Sequence, residues 1–296
     1  MGNILTKQFY RQRKDFEDSC AGRDAGLTFP EGVRCSTDIA YADDGIKAHM
    51  LDIYRPEDSQ EKILPVIINV HGGGLIIGNK EFNRYFCALL CKKGFLVYSI
   101  EYRLIPDCLI YDQIADVFMA MDYIKERLAA DGGDSSHVYM AGDSGGACLI
   151  TYANAIQNST NIARAANVTP SGLRINALGL ISGMFYTSRF DKIGLFLPKY
   201  LYGRDYKKTS FAKYVNPENR ELLNSLAPVW LVTSHNDFLR RYTTDFEKAL
   251  TRAEREHELV IFPKNKKLTH AFSVFEPFMP ESGAVIDMMV EYLRKF

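Results

Sequence analysis

The chain has 296 residues and 47% hydrophobic content, enough for one large core at the upper end of what a single domain carries. Its 36 basic and 36 acidic side chains cancel, so no global field draws it to nucleic acid or to an anionic membrane. No apolar run approaches the ~20 residues of a membrane span, and residues 1–18 lack the apolar stretch of a secretory signal peptide. The six cysteines include no Cys-x-x-Cys pair, and reduced thiols in a cytoplasmic protein are the expectation.

In chain order, the polar stretch 8–14 with Phe9 and Phe16 predicts an amphipathic helix. Strands are predicted over 34–42 and 46–54, flanking the hairpin signal Asp43-Asp44-Gly45. Residues 64–70 form a short buried-strand run that ends at Gly72-Gly73-Gly74. A helix over 82–93 stops at Gly94, and a strand follows over 95–102. Residues 111–130 place Ile114, Val117, Phe118, Met121 and Ile124 at helical spacing, and Gly132-Gly133 stops that helix. A strand over 137–141 turns into a helix from Ala147 onward. Strands over 175–181, 229–233 and 259–262, with helices over 243–257 and 284–296, complete the pattern.

This alternation implies an α/β fold, a mostly parallel sheet with helices on both faces. Two segments fall outside the rhythm, about 1–33 and 183–226. The second is rich in aromatic residues, which argues against disorder, and an insertion of that length between strands is usually functional. The two are expected to form a cap subdomain on a single domain of residues 1–296. Phe185, Tyr186, Phe196 and Tyr200 are its candidate substrate-pocket residues.

Gly142-Asp143-Ser144-Gly145-Gly146, set between a strand and a helix, has the pattern of a nucleophile elbow. Such a turn holds one serine hydroxyl out at the end of a sheet, and Ser144 is the candidate nucleophile. A serine hydroxyl also needs a base, a carboxylate to orient that base, and donors for the developing oxyanion. Three histidines follow Ser144. His257 lies at a helix end and His235 precedes the candidate acid, whereas His270 falls in a loop after the last strand, where a base belongs. Asp237, just after the 229–233 strand, is the candidate acid, and Asp245 is expected to be solvated. The candidate oxyanion donors are the N–H groups of Gly145, Gly73 and Gly74. A phosphate-cradle reading of the glycine triplet is weak, because no Gly-Lys-Ser/Thr follows it. His71 is expected to hold its loop by hydrogen bonds, and the basic clusters at 264–267 and 207–208 to be solvated loops.

His-Gly-Gly-Gly at 71–74, the motif from Glu101 to Asp107, Gly-Asp-Ser-Gly-Gly at 142–146, Asp237-Phe238-Leu239-Arg240 and His270-Ala271-Phe272 together resemble the hormone-sensitive lipase family of carboxylesterases. The resemblance runs in the same order from about residue 40 to the C-terminus. It implies an α/β-hydrolase fold with a helical cap, a Ser144–Asp237–His270 triad and an oxyanion hole of Gly73, Gly74 and Gly145. It also implies hydrolysis of small-molecule esters of short to medium acyl chains without cofactor or metal. The chain departs from the family pattern at Gly145, at Cys108-Leu109-Ile110-Tyr111, and at Arg240-Arg241-Tyr242, all beside the site. An amidase or peptidase on the same fold, and a non-catalytic ligand receptor, are the alternatives.

Overall fold

The computed structural model describes residues 2–59 and 62–296, and among them eight strands form one sheet. The elements run α1 (Gly2–Asp24), β1 (Val33–Ala40), β2 (Met50–Pro56), β3 (Leu64–Val70), α2 (Arg84–Lys92), β4 (Leu96–Ile100), α3 (Ile110–Arg127) and β5 (Gly133–Asp143). They continue with α4 (Ser144–Asn158), α5 (Thr160–Ala166), β6 (Ala177–Ile181), α6 (Lys192–Phe196), α7 (Pro198–Leu201) and α8 (Arg220–Asn224). The chain closes with β7 (Val229–Ser234), α9 (Arg240–Arg252), β8 (His257–Phe262), α10 (Phe272–Phe275) and α11 (Pro280–Leu293).

The strand order is β1-β2-β4-β3-β5-β6-β7-β8. β2 is antiparallel to both β1 and β4, and β3 through β8 are parallel to one another. Successive side chains on a strand face opposite sides, so a strand covered on both faces reads as a near-continuous apolar run. β3 shows this: Val66, Ile68 and Val70 enter the core under α3, α4 and α9, and Ile67 enters the core under α2 and α11.

The antiparallel pair is wider at its turn than the Asp-Asp-Gly signal implies. Pairing extends only to Tyr41 N–H donating to His49 O, and the intervening loop closes with Asp44 accepting from Ile46 N–H and meeting His49 Nδ1 at 2.6 Å. Asp44 therefore builds its own side-chain turn, and the expected strand start at Ile46 moves to Met50.

The two segments outside the sheet rhythm meet in space. Phe9 of α1 packs edge-on against Tyr200 of α7 at 5.3 Å, and Phe16 packs against Phe82 and Phe275. Met1 of the expected cap lies outside the described residues. Arg13 fastens the middle of α1 to the loops at the carboxyl end of the sheet. Its guanidinium donates to Ile76 O at 2.7 Å, Ile105 O at 2.6 Å and Asp107 at 2.6 Å, and Tyr10 donates to the same carboxylate. Charge-assisted bonds of this kind are worth about 1.5–3 kcal/mol each when not fully exposed. Arg13→Ala is expected to raise amide hydrogen exchange across α1 without changing it in the sheet. Unchanged exchange in α1 would mean that Phe9 and Phe16 alone hold it.

Candidate active site

The carboxyl ends of β5, β6, β7 and β8 lie side by side, because Asp143 pairs with Ile181, Ile181 with Val232, and Ser234 with Phe262. The residues just beyond those ends are therefore neighbours, although they lie far apart in sequence. Ser144 is the first residue of α4 and takes a left-handed φ of +49°. A non-glycine residue there is uncommon and marks a turn imposed by its surroundings.

Those surroundings explain the flanking glycines. A Cβ on Gly142 would stand 2.6 Å from Val70 O, and one on Gly146 would stand 2.1 Å from Val70 O and 2.5 Å from His71 O. The elbow is thus pressed against the end of β3 and the glycine loop that follows. Gly145 backs directly onto that loop, since its Cβ would meet Leu75 N at 2.8 Å and Gly74 N at 3.1 Å. As the second residue of α4, Gly145 has a backbone N–H without an intrahelical partner. Gly73 and Gly74 adopt φ of +101° and +61°, which turns this stretch of backbone toward the elbow.

Buried groups hold the glycine loop in place. Asp143 is almost fully buried, and its Oδ1 accepts from Gly72 N–H at 3.0 Å and from Asn83 Nδ2 at 3.0 Å. Burial pushes its carboxyl above the usual range, against the pull of those bonds. His71 lies flat on Tyr102 at 4.3 Å. Its Nδ1 lies 2.8 Å from Gly72 O and its Nε2 lies 3.0 Å from Glu101 Oε1. Both ring nitrogens face acceptors, which suits an imidazolium. Burial opposes the charge, yet Glu101 beside it holds the His71 pKa above its ordinary value. His71 is thus a structural clamp with both nitrogens engaged.

His270 follows β8 and reaches back over β6. Ala271 N–H donates to Ser182 Oγ at 3.1 Å, and Met184 N–H donates to Ser144 O at 2.9 Å. These two bonds tie the His270 loop and the elbow to the same few residues after β6. His270 Nδ1 lies 2.7 Å from Asp237 Oδ1, so it donates there and leaves Nε2 free to accept a proton. Asp237 also accepts from Leu239 N–H at 2.8 Å and from Thr233 Oγ1 at 2.8 Å. Burial disfavours its charge, but the bonds from His270, Ser182 and Leu239 outweigh burial and hold its carboxyl below the usual range. The Asp237–His270 pair and Ser144 thus lie past the carboxyl ends of neighbouring strands, with Gly74 packed against Gly145 on the β3 side of the elbow. Ser182 escaped sequence reading. Its φ of +50° and its two partners become visible only once β6 stands between β5 and β7.

The other histidines after the elbow are engaged elsewhere. His235 Nδ1 meets Arg240 at 2.8 Å near the surface, and His257 Nδ1 accepts no role at the site because it donates to Arg255 O at 2.7 Å. Asp245 is not simply solvated, because Arg189 of the insertion pairs with it at 2.7 Å. The aromatic pocket candidates separate into two kinds. Phe185 is buried in a stack with Phe246 of α9 at 4.2 Å, and Tyr186 packs edge-on against Tyr242 while donating to Glu218 at 2.8 Å. Both fasten the insertion to α9. Tyr200 is half-buried against α1, and Phe196 is 56% exposed.

A family model of the alpha/beta hydrolase fold matches residues 67–273, a span that contains the elbow, the glycine loop, Asp237 and His270. The chain belongs to this family, in its hormone-sensitive-lipase-like group. A probable isoprenylcysteine alpha-carbonyl methylesterase of Oryza sativa subsp. japonica is 29% identical over 184 residues, 58% of this chain and 44% of its own length. Esterase LipQ of Mycobacterium tuberculosis is 32% identical over 120 residues, 40% of this chain and 28% of its own length. The chain thus spans less than half the length of these curated relatives. Esterase B of Lactobacillus rhamnosis superposes with a TM-score of 0.92 at 22% identity, covering 99% of this chain and 95% of that one, a likeness of fold.

Proposed function

We propose that this α/β hydrolase is a serine carboxylesterase acting through an acyl-enzyme. The observation that carries this reading is the Asp237–His270 pair, 2.7 Å apart, beside a serine on a left-handed turn. In the first step Ser144 Oγ attacks the ester carbonyl carbon while His270 Nε2 takes its proton. Asp237 keeps Nδ1 protonated and stabilises the imidazolium that forms. The oxyanion is received by the backbone N–H groups of Gly73, Gly74 and Gly145. His270 then gives its proton to the leaving alkoxide oxygen. In the second step it takes a proton from water, which attacks the acyl carbon and releases the acid and free Ser144.

The glycine loop gives one direct consequence. A Cβ on Gly73 would fall 1.9 Å from Ile77 O, at a φ that L residues rarely adopt. Gly73→Ala is expected to displace the loop and lower kcat by about 10²–10³-fold, the usual worth of an oxyanion donor. An unaltered kcat in a variant with a normal melting curve would remove this loop from the mechanism.

We read the acyl group as short to medium, and residues 1–33 with 183–226 as the cap that limits it. Supporting this, Ser144 is only 7% exposed, and esterase B, of like fold, was captured with a C4 tributyrin phosphonate. A series of p-nitrophenyl esters from acetate to palmitate, run beside the corresponding anilides, tests the reading. Turnover should peak at or below medium chain length, with the anilides at least about a hundredfold slower. Faster turnover of the anilides would favour an amidase.

A further inference from the structure

An open groove of about 850 Å³ runs along the outer side of His270. Its apolar part comes from Phe238, Phe275 and Met279, and its charged part from Lys266, Lys267 and Glu276. Phe238 is 74% exposed and its ring lies 4.4 Å from the imidazole of His270. The exposed phenyl ring, tilted 44° to the imidazole, puts an apolar surface beside the base. Lys266 and Lys267 are exposed, and neither belongs to an ion pair with another described residue. Their loop is nonetheless fixed: Asn265 accepts from Lys267 N–H at 3.0 Å through its side chain and from Leu268 N–H at 3.0 Å through its carbonyl. Ser234 Oγ then pins Leu268 O at 2.5 Å. The backbone that carries the two lysines is therefore fixed at the groove, whose lining holds one carboxylate, that of Glu276.

We propose that this groove receives the alcohol portion of the ester and favours an apolar alcohol that carries a negative charge, an inference that rests on the esterase reading above. His270 Nδ1 is committed to Asp237, so the proton for the leaving group comes from Nε2 on the opposite side of the ring. The leaving oxygen must lie within hydrogen-bond reach of that atom, which puts the alcohol on the His270 side of the ester carbon and the acyl chain on the other. Phe238 and Phe275 then meet the carbon skeleton of the alcohol, and the ammonium groups of Lys266 and Lys267 meet an anion at its far end. The charge preference should be screened by salt, because both lysines are exposed.

The test compares 4-acetoxybenzoate with 4-acetoxybenzamide, two acetyl esters of closely similar shape whose leaving phenols differ in charge. The ratio of kcat/KM, anion over neutral, is expected to be about fivefold to tenfold at low salt and to shrink at high salt. The Lys266→Gln/Lys267→Gln double variant should bring the ratio to about one, and the Lys266→Arg/Lys267→Arg variant should restore it. A second arm with 4-acetoxyphenyl phosphate distinguishes the anion: a larger ratio assigns the preference to phosphate, a smaller one to carboxylate. Ratios at or below one in both arms, with the neutral ester still turned over, would overturn this inference and leave the esterase reading standing. Turnover of no ester would sink both.

Discussion

Replacing Ser144 by alanine is expected to lower kcat on a short-chain ester by about 10⁴–10⁶-fold, the range seen when one member of a cooperating catalytic unit is removed. The loss is large because no other step can proceed without the nucleophile: His270 would have no hydroxyl proton to take, and no acyl-enzyme would form. The fold should survive. Ser144 accepts Met184 N–H through its backbone carbonyl, not its hydroxyl, so alanine keeps that link. The positive φ is no kinder to alanine than to serine, so the melting temperature should move by only a few degrees. Turnover within about tenfold of the wild type would place the nucleophile elsewhere.

Asp237→Asn is expected to cost about 10⁴-fold in kcat with little change in KM. An asparagine can present its amide N–H₂ to His270 Nδ1, which would then need to accept, and the proton would move to Nε2, where it blocks abstraction from Ser144. The substitution also removes the charge that stabilises the imidazolium. The folded pKa of Asp237 lies below its ordinary value, mainly because bonds from His270 and its neighbours overcome burial. Its charged form therefore adds stability above the ordinary carboxylate range, and that stability is lost as the pH falls through the lowered folded value. Acid unfolding of the wild type should consequently be steeper than that of Asp237→Asn, which has no such proton to bind. Identical acid transitions together with near-normal kcat would detach Asp237 from the site.

Much of the sheet was legible because parallel strands buried on both faces leave continuous apolar runs, as at 64–70 and 229–233. The elbow was legible for a related reason: glycine at 142 and 146 is demanded by contacts with Val70 and His71, and such demands leave a motif. Pairings between distant residues left no such mark. Nothing near Ser182 announces that its hydroxyl will receive Ala271 N–H, and nothing near Asp143 announces Gly72 and Asn83. The aromatic insertion was legible only in part, because its composition argues for order but does not say what Phe185 and Tyr186 pack against. Phe246 and Tyr242 of α9 are the answer, and they come from a helix more than fifty residues further on. The hairpin turn failed at a finer scale, where the side chain of Asp44 competes with the tight turn its own sequence suggests.

The central claim is that one serine among all those in the chain is an activated nucleophile. Incubation with a fluorophosphonate ester, followed by digestion and peptide mass spectrometry, tests it directly. One covalent phosphonyl group per chain is predicted, on Ser144, with loss of esterase activity in step with labelling and no labelling of Ser144→Ala. Retention of activity in fully labelled protein, or a label on a different serine, would contradict the account.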